Sequence, residues 1–442
     1  MKKTTIILLL AITACTTQTK KDPATKSSTP IESDAIVATV ISTSEQLNSI
    51  NFQSGETYTL VGDLTAYNTI DIVEVENVTI NGTATINASF TKNAVFRVSQ
   101  TNNILIDGLY IKGDINNPPL AGVFVSGHWS SGGSPTTNTT IRNCEIEGVY
   151  NGVRGIPSKT PISDITIENC VIHEIREDGF FVKGCPNFKS INSEYYRVNR
   201  DYYLEGTSEE QAPGDGGHLI DCANYYIDGN VFDKSESPNK FCFIFGAVGL
   251  KNTSGTVINN LFVAPPNEGN GGANIYIHTS DYVLIKGNTF IGNTEKPLAG
   301  LLSYATKTEF LNNAIIDAND FKFTLRVEDL TCSNNTIQNA TKEVFYYYHQ
   351  ALFENNTFCN FGANAIAYYT PPGSGASKTE TGTVYKEECD GITPPPDPDP
   401  DPDPCDSIQD TVYIVKNYYF SIDTIWTPSI DTTLIDSSII IK

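Results

Sequence analysis

Basic residues are scarce in this chain of 442 residues. Lysine and arginine together number 29, against 51 aspartates and glutamates, and the formal net charge at pH 7 is −22. Because nucleic-acid phosphates need a basic face, we expect no nucleic-acid partner. Long apolar runs are also missing after the first residues, and none approaches the length of about 18 residues that a membrane-spanning helix needs. Helical periodicity is absent from most of the chain, which disfavours a mainly α-helical fold.

The first residues, MKKTTIILLLAITAC, have the features of an export signal. Two lysines precede an apolar core at residues 6–12, and a small-residue segment ending in Cys15 follows it. This ending resembles the lipobox of bacterial lipoproteins of the Bacteroidetes type, which implies that Cys15 carries a lipid; an ordinary signal peptide is the alternative. Residues 1–15 are therefore predicted to be a lipoprotein signal peptide, and residues 16–37 a flexible tether. We accordingly expect a lipoprotein anchored in the outer membrane, periplasmic or on the cell surface.

Two short segments of the chain repeat one pattern. Residues 138–149 (NTTIRNCEIEGV) and 164–175 (DITIENCVIHEI) each alternate apolar and polar residues on both sides of an Asn-Cys turn. Eleven copies of this pattern lie between residues 79 and 358, at a mean interval of about 27 residues. Three short strands and three turns need a similar length, because a strand rises by about 3.3 Å per residue. We therefore predict that each copy is one circuit of a coil, stacked in parallel on its neighbours.

The amide at the repeated turn supports this prediction. Asparagine tolerates the left-handed backbone conformation that such a turn requires, and its side chain can bond to the asparagine of the next coil. An antiparallel sandwich with Asn-Gly hairpins is the alternative, but hairpins produce no regular interval. We therefore expect Asn143, Asn169 and Asn259 to lie in one file along the stack.

With this repeat, the sequence resembles the right-handed parallel β-helix superfamily, the fold of pectate lyases and related polysaccharide-processing proteins. The resemblance covers residues 60–370. It implies an all-β, right-handed, single-stranded parallel β-helix of about 10–12 coils with an N-terminal cap. In that superfamily the asparagines mark the second turn of each coil and the first sheet usually carries the substrate groove. By this mapping, residues 151–156, 179–184 and 274–279 lie on the first sheet.

Composition divides the chain into segments around the coil. We assign residues 38–370 to the parallel β-helix domain. Residues 371–404 lose the repeat and end in a Pro/Asp run, so they are predicted to be an extended linker. Residues 405–442 alternate apolar and polar residues again and are predicted to form a small β tail of unknown role.

The open first coil of a β-helix needs a cover, because its unpaired strand edges would otherwise be exposed. Residues 42–52 (STSEQLNSINF) can form a short helix for this purpose. Either Ser42 or Ser44 is predicted to be its N-cap.

Cysteines near the turns are predicted to have two different roles. Cys144 and Cys170 follow the repeated asparagine, which favours buried thiols over a disulfide. Cys389 and Cys405 flank the proline run and could close a loop there, since an exported protein can be oxidised.

Unequal intervals between the copies mark the loops of the coil. Residues 113–138 and 197–222 are long insertions, and insertions in a solenoid leave on one face and often build its binding site. The alternation of the first-sheet strands predicts a set of outward basic residues: Arg97, Arg154, Lys183, His278 and Arg326. On a strongly acidic protein such a stripe suits uronate carboxylates, which arginine binds bidentately; ordinary solvated surface charge is the alternative.

The chemistry that this groove suggests is β-elimination from a uronate. The reaction needs a neutralised carboxylate, a base for the C5 proton and an acid for the leaving oxygen. The resemblance implies a Lys or Arg base and often a Ca²⁺ cofactor at the carboxylate. The candidates for proton transfer are Lys183, Arg154, Arg176 and His218. The candidate oxygen ligands for Ca²⁺ are Asp215, Asp221, Glu205 and Asp178.

Two other activities remain open on the sequence. Hydrolysis needs paired carboxylates, and it is disfavoured because acids cluster near one rung (Asp201, Asp215, Asp221) while adjacent first-sheet strands lack them. Sugar binding without catalysis needs exposed aromatic planes. The predicted substrate-binding residues are Trp129, Tyr276, His278 and Arg326.

These observations predict an exported polysaccharide-processing lipoprotein, lyase-like in its reaction. The alternative is a non-catalytic glycan-binding or adhesive surface protein of the same fold. In both cases the expected partner is a polysaccharide, and the membrane is contacted through the lipid anchor only.

Overall fold

The computed structural model describes the chain between residues 38 and 389, with gaps. The described residues are 38–198, 215–233, 243–245, 254–263, 275–277, 280–292, 301–303, 305–317, 323–325, 327–341 and 343–389. Their regular structure consists of one short helix and three parallel β-sheets, named A, B and C below.

Each sheet is a ladder of short strands that follow the stack of coils. Sheet A contains β1 (Thr39–Ile41), β2 (Thr57–Leu60), β5 (Glu76–Gly82), β8 (Asn102–Asp107), β11 (Thr136–Arg142), β14 (Ile162–Glu168), β17 (Lys189–Ile191), β20 (Tyr225–Asp228), β23 (Ser254–Ile258), β26 (Tyr282–Lys286), β29 (Lys307–Leu311), β32 (Asp329–Ser333), β35 (Gln350–Glu354) and β38 (Ser377–Thr381). Sheet B contains β3 (Asp63–Ala66), β6 (Thr85–Ala88), β9 (Tyr110–Lys112), β12 (Glu145–Glu147), β15 (Val171–Ile175), β18 (Glu194–Val198), β21 (Val231–Asp233), β24 (Leu261–Val263), β27 (Thr289–Ile291), β30 (Ala314–Ile316), β33 (Thr336–Gln338), β36 (Thr357–Cys359) and β39 (Val384–Lys386). Sheet C contains β4 (Ile70–Val73), β7 (Phe96–Ser99), β10 (Ala121–Ser126), β13 (Asn151–Ile156), β16 (Phe180–Lys183), β19 (Gly217–Ile220), β22 (Phe243–Phe245), β25 (Ile275–Ile277), β28 (Leu301–Ser303), β31 (Phe323–Leu325), β34 (Phe345–Tyr347) and β37 (Tyr368–Tyr369).

The chain visits the sheets in the order A, B, C and then returns to A, so three strands make one coil. Each strand pairs in parallel with its equivalents in the coils before and after it. Sheet C contributes one strand to each coil and has 12 strands, which confirms the predicted all-β parallel β-helix of about 10–12 coils. The segments 151–156, 179–184 and 274–279 all contribute strands to sheet C, as predicted.

The turn from sheet A to sheet B places two neighbouring residues in different surroundings. Asn143, Asn169 and Asn259 each follow the last paired residue of a sheet A strand and have φ values of 52°, 52° and 56°. They lie in one file along the stack, as predicted. The next residue in each turn, such as Cys144 or Cys170, is buried. The sequence pattern predicted one file of amides, whereas the structure contains this left-handed file and a buried file beside it.

The buried file becomes a ladder of asparagines in the C-terminal half of the stack. Its members are Asn230, Asn260, Asn288, Asn313, Asn335 and Asn356. Each Nδ2 donates to the Oδ1 of the next asparagine at 3.0–3.1 Å, and that Oδ1 also accepts the backbone N–H of the preceding asparagine at 2.8–3.0 Å. The ladder therefore satisfies polar groups that burial would otherwise leave without partners.

Aromatic rings fill the interior of the same coils. Tyr195, Phe232, Phe262 and Phe290 project from successive strands of sheet B, and adjacent rings are stacked with centres 4.9–5.2 Å apart. All four are completely buried. The ring planes are nearly parallel, at 6–10°, so each ring packs face to face on its equivalent in the next coil. This stacking favours the observed register of the coils.

A short helix covers the first coil, as predicted. Helix α1 spans Ser44–Ser49 and buries Leu47. The predicted N-cap at Ser42 or Ser44 is wrong, since Thr43 holds that position. Thr43 is favoured because Gln46, three residues later, completes a capping box: the Thr43 hydroxyl accepts the backbone N–H of Gln46, and the Gln46 side-chain oxygen accepts the backbone N–H of Thr43.

The C-terminal end of the stack differs from the sequence-based expectation. Strands β38 and β39 continue sheets A and B, so the coil extends past residue 370, where the domain was predicted to end. Cys389 forms a disulfide with Cys359, and the predicted loop closure between Cys389 and Cys405 is therefore wrong. The repeat was missed because these strands are mostly exposed and lack apolar alternation.

Cys144 and Cys170 are buried free thiols, as predicted. Among the described residues, no helix has the length and apolar character needed to cross a membrane. The predicted signal peptide with Cys15, the tether up to residue 37, residues 390–404 of the predicted linker and the β tail lie outside the described residues.

Candidate functional site

One position of sheet C lines up through all of its strands. The residues at this position are, in order, Asp71, Arg97, Phe124, Arg154, Phe181, His218, Ile244, Tyr276, Leu302, Thr324, Tyr346 and Tyr369. We call this row the Arg154 file. Neighbouring strands lie about 4.8 Å apart, so a polymer laid along the file would pass one residue of the file at each coil.

Two of the predicted outward basic residues, Arg97 and Arg154, belong to this file. Arg97 is paired with Asp71 at 2.7 Å, and both side chains are about half exposed. The Arg154 guanidinium instead donates to the amide oxygen of Asn151 at 2.6 Å and lies 5.0 Å from the centre of the Phe181 ring. Its partners are therefore a neutral amide and an aromatic face, which fix the guanidinium without cancelling its charge.

Two buried carboxylates lie at the start of the neighbouring strands. Counting back from the paired residues Val153, Phe180 and Gly217 puts Asn151, Asp178 and Asp215 at equivalent positions in three successive coils. Asp178 and Asp215 are 1% and 0% exposed. The backbone N–H of Asp215 donates to the Asp178 carboxylate at 2.8 Å, which holds that side chain toward the next coil.

Glycine after each of these polar residues allows the close approach of the coils. A Cβ atom at Gly152 would lie 2.3 Å from the backbone oxygen of Gly179, and a Cβ atom at Gly179 would lie 2.3 Å from that of Gly216. Real Cβ contacts are not this short, so the backbone at both positions requires glycine. The Asn-Gly and Asp-Gly pairs thus bring the polar side chains before them together.

His218 completes this cluster. One ligand atom from each of Asp178, Asp215 and His218 lies within 4.8 Å of the other two. Burial lowers the pKa of His218 to about 4, because a partly apolar environment disfavours the charged imidazolium. Phe181 contributes to that environment, since its ring packs edge-on against the imidazole at 5.1 Å. The imidazole is therefore neutral near pH 7 and can accept a proton or ligate a cation.

Glu177 extends the polar surroundings of Arg154. Its carboxylate accepts a hydrogen bond from the amide nitrogen of Asn151 at 3.1 Å. Asn151 thus links Glu177 to Arg154: its amide oxygen accepts from the guanidinium, and its amide nitrogen donates to the carboxylate. This chain of contacts orients both charged groups without a direct ion pair between them.

The cluster offers a divalent cation two carboxylates and one imidazole as ligands. Ca²⁺ prefers six to eight oxygen ligands, which two carboxylates can supply only in part. An imidazole is a better ligand for transition metals such as zinc or manganese. The two carboxylates fit the calcium cofactor that the family resemblance implies, whereas the imidazole does not.

The predicted calcium ligands are not all brought together. Asp215 belongs to the cluster, but Asp221 lies at the other end of β19, because residues 217–220 form a strand that separates them by about 20 Å. Burial raises the pKa of Asp221 and the nearby Lys183 lowers it, with a net rise. The expected joint site of Asp215 and Asp221 is therefore wrong, and Glu205 lies outside the described residues.

The other predicted residues lie at several places. Lys183 is exposed at the end of β16, two residues beyond the Arg154 file. Arg176 lies in the turn two residues before Asp178, where its backbone N–H donates to Val149. Trp129 is 79% exposed in the loop after β10, at the opposite edge of sheet C from Asp178. Tyr276 occupies the Arg154 file, and His278 and Arg326 lie outside the described residues.

Sequence reasoning missed Asn151, Glu177 and Phe181. A signal for Asn151 and Phe181 was present, because Asn151, Asp178 and Asp215 are each followed by glycine and each precede a residue of the Arg154 file by three positions. Aligned in this way, the segments NGVR, DGFF and DGGH show the polar start, the glycine and the file residue of three coils in a row.

A second aromatic group lies at the far end of the same file. Tyr346 and Tyr369 are adjacent members, and their rings are stacked 4.9 Å apart at 23°. Tyr348 packs edge-on against Tyr346 at 5.3 Å. All three side chains are partly exposed, so they form an aromatic surface beside the last coils.

Comparison with known proteins identifies the class of this fold. A family model described as a right handed beta helix region matches residues 237–374, and one described as a domain of unknown function (DUF4957) matches residues 56–189. The protein folds as a right-handed parallel β-helix, and the fold inferred from the repeat is confirmed. No curated protein matches the chain.

Solved structures with the same fold share little sequence with this chain. The mannuronan C-5 epimerase AlgE4 A-module of Azotobacter vinelandii is 12% identical, with a TM-score of 0.50 over 77% of this chain and 100% of that one. The pre-mature gene product 12 of bacteriophage phi29 is 12% identical, with a TM-score of 0.52 over 78% of this chain and 51% of that one. The catalytic unit of an α-1,3-glucanase from Streptomyces thermodiastaticus strain HF3-3 is 15% identical, with a TM-score of 0.48 over 76% of this chain. The chain spans 64% of that glucanase unit and about half of the phage protein.

Proposed function

We propose that the protein binds an acidic polysaccharide along the Arg154 file and cleaves it by β-elimination beside His218. The observation that carries this proposal is the cluster of Asp178, Asp215 and His218 in the two coils that follow Arg154. Arg154 supplies a cation for a uronate carboxylate, and the cluster supplies a neutral base and two buried carboxyl groups in the next two coils.

Arg154 has the role of carboxylate binder in this proposal. A uronate must have its carboxylate neutralised before its C5 proton can be removed, and a fixed guanidinium does this through two parallel hydrogen bonds. The contacts with Asn151 and Phe181 hold the guanidinium in place before substrate arrives. Preorganised charge of this kind is more effective than a mobile lysine, since no ordering is needed at the moment of reaction.

His218 has the role of base. Arg154 and His218 are two strands apart, about 10 Å along the file, and a single sugar residue fits in this interval above Phe181. The neutral imidazole takes the C5 proton, the C4–O bond breaks as the C4–C5 double bond forms, and the departing oxygen receives a proton. Asp178 and Asp215 lie within reach of the imidazole and can relay a proton to the leaving group.

The reaction is tested by incubating the full chain with uronate polymers of different composition. Formation of an unsaturated product is followed by its ultraviolet absorbance, with added Ca²⁺ and with a chelator. We expect product with at least one polymer and a loss of about 10²–10⁴-fold in rate for His218→Gln. Arg97→Gln is the matched control, because Arg97 lies in the same file but is already paired with Asp71.

Two results would overturn the proposed reaction. One is the absence of unsaturated product from every uronate polymer under both conditions. The other is release of new reducing ends without unsaturation, which would mean that Asp178 and Asp215 act as the carboxylate pair of a hydrolase.

Glycan binding without cleavage is the second candidate function. The stacked pair Tyr346 and Tyr369 favours it, because partly exposed aromatic rings in a row suit sugar faces and need no acid or base. Trp129, almost fully exposed in its loop, offers a similar surface elsewhere on the coil. This candidate predicts measurable affinity for a polysaccharide that His218→Gln leaves unchanged.

We further propose that a lipid on Cys15 anchors the protein in the outer membrane. The motif MKKTTIILLLAITAC supports this proposal. Radiolabelled fatty acid should be incorporated into the full chain and not into Cys15→Ser, which should fractionate as a soluble protein. Equal labelling of both would contradict it.

A further inference from the structure

A second cluster of metal-binding residue types lies on sheet B, away from the Arg154 file. Glu145 and Glu147 project from β12, and His173 projects from β15 in the next coil. One ligand atom from each lies within 4.8 Å of the other two. Residue 146 between the glutamates is completely buried, so both carboxylates point to the outer face of the sheet.

The distances within this cluster suit a single small ion. The His173 Nε2 atom lies 3.0 Å from Glu145 Oε1 and 3.8 Å from Glu147 Oε2. Ligands about 2.1 Å from a zinc ion in a tetrahedron are about 3.4 Å apart, and the two observed distances lie on either side of that value. An ion at this point would therefore need only small side-chain adjustments.

The ligands are held in place by contacts outside the cluster. Lys112 pairs with Glu147 Oε1 at 2.7 Å, which leaves Oε2 facing His173. The imidazole of His173 is stacked on the Tyr196 ring, with centres 4.8 Å apart and planes at 5°. Partner groups that orient metal ligands in this way are typical of protein metal sites.

The local charge favours a cation. Glu145, Glu147, Glu174, Glu194 and Asp233 carry five negative charges on the described part of this face, and Lys112 and Arg197, which is paired with Glu174, carry only two positive charges. Repulsion of this kind is visible at Glu194, whose pKa is raised by burial and by Asp233. A divalent ion between Glu145 and Glu147 would offset the excess.

The chemistry of the ligands selects the kind of ion. An imidazole with two carboxylates is a poor set for Ca²⁺ or Mg²⁺, which take oxygen ligands almost exclusively. The same set is common for zinc and neighbouring transition metals. Three protein ligands leave the fourth tetrahedral position for water.

We propose that Glu145, Glu147 and His173 form a site for Zn²⁺ or a similar transition-metal ion that ties two successive coils together. The site is independent of the proposed polysaccharide chemistry, since it lies on another sheet. Its expected role is to fasten β12 to β15, because the ligands come from both strands.

The test is zinc binding to the full chain after chelator treatment, measured by dialysis with metal analysis and by the shift in Tm. His173→Phe is the informative variant, because it keeps a ring to stack on Tyr196 but removes the ligand nitrogen. Glu145→Gln is a second variant of unchanged shape. Asp178→Asn is the control for zinc held at the other cluster.

We expect one zinc ion per chain to be lost in His173→Phe and in Glu145→Gln, together with the part of the Tm rise that zinc produces. That ion should remain in Asp178→Asn. The proposal is overturned if the wild-type chain binds no zinc, or if His173→Phe binds as many ions as the wild type with the same rise in Tm. An ion lost only in Asp178→Asn would also overturn it, since the metal would then belong to the His218 cluster.

Discussion

The guanidinium of Arg154 lies 5.0 Å from the centre of the Phe181 ring, one coil further along the same file. Among the described residues, no carboxylate forms an ion pair with Arg154, in contrast to Arg97, which is paired with Asp71, and Arg142, which is paired with Asp107. A charge supported by an amide and a ring remains available to an anionic ligand.

This availability leads to the first prediction, for Arg154→Lys. Lysine keeps the positive charge but loses the planar fork and the contact with Phe181, so a uronate would be held by one hydrogen bond in place of two. We expect a fall in kcat/KM of about 10–100-fold on an active uronate polymer. Arg97→Lys should leave kcat/KM unchanged, and an equal fall in both variants would argue against a special role for Arg154.

The two files of the A-to-B turn lead to a prediction about stability. Asn313 is buried in the ladder, whereas Asn312 beside it is exposed with a φ of 54°. Asn313→Ala would leave the Nδ2 of Asn288 and the backbone N–H of Asn288 without their shared acceptor, at a cost of about 2–4 kcal/mol. Asn312→Gly should change the free energy of unfolding by less than about 0.5 kcal/mol, because glycine adopts this conformation readily.

Chemical denaturation of both variants measures this difference. Similar losses of unfolding free energy in Asn313→Ala and Asn312→Gly would contradict the different roles given to the buried file and the left-handed file. Gly229 and Gly287 already occupy the left-handed position in other coils, which is why glycine is the matched replacement.

The repeat could be predicted from the sequence because its cause is local. Each A-to-B turn needs a residue that tolerates positive φ and a following residue that fits a buried file, so Asn, Gly and Cys recur at one interval. The strands between these turns alternate with period 2, and this places Val153 inside and Arg154 outside without any knowledge of the loops.

The candidate site could be predicted only in part, because it depends on register between coils. Lys183 and Arg154 both point outward, but they occupy different files, and only the pairing of β13 with β16 shows this. Asp215 and Asp221 looked close because GDGGHLID reads as a flexible turn, whereas four of its residues form a strand. The disulfide could not be predicted either, since only the stacking of β36 on β39 brings Cys359 close to Cys389.

The disulfide gives a third prediction. Cys359 and Cys389 are 30 residues apart, and closing a loop of this length stabilises the folded chain by about 3–4 kcal/mol in the chain-entropy account. We expect the double variant Cys359→Ser with Cys389→Ser to expose residues after 359 to proteases at a lower temperature than in the wild type. A reducing agent should produce the same change in the wild type and none in the variant.

Asp107 gives a fourth prediction, about pH. Burial alone would raise its pKa, but hydrogen bonds from Arg142 and Asn143 outweigh this effect and lower the pKa below 3.8. Because the folded-state pKa is below the unfolded one, the stabilisation is complete above the unfolded value and is lost as the pH falls through the folded one. Asp107→Asn should therefore cost about 0.5–1 kcal/mol at pH 7, and this cost should fall toward zero as the pH is lowered through the folded-state pKa of Asp107.

Urea unfolding at several pH values measures this effect. Asp71→Asn is the control, because the Asp71–Arg97 pair is about half exposed and should contribute less. A constant difference between wild type and Asp107→Asn across the pH range would contradict the assignment.

The stacked tyrosines at the end of the Arg154 file separate binding from catalysis. Tyr346 lies seven strands beyond Arg154, about 34 Å away, so a polymer must be roughly seven sugar residues long to contact both. Replacing Tyr346 and Tyr369 together with alanine should weaken the affinity for a long polysaccharide by about 10-fold, since each ring contributes about 0.5–1.5 kcal/mol.

The same double variant should leave turnover of a short oligosaccharide unchanged, because a short chain bound at His218 does not reach Tyr346. Affinity is measured by the retardation of the protein in a native gel that contains the polysaccharide, and turnover is measured by product formation. Tyr67→Ala is the control, because it removes an exposed ring outside the file. If the variant loses affinity for short and long chains equally, the polymer does not run along the Arg154 file. If it loses affinity for neither, the stacked tyrosines serve the packing of the last coils alone.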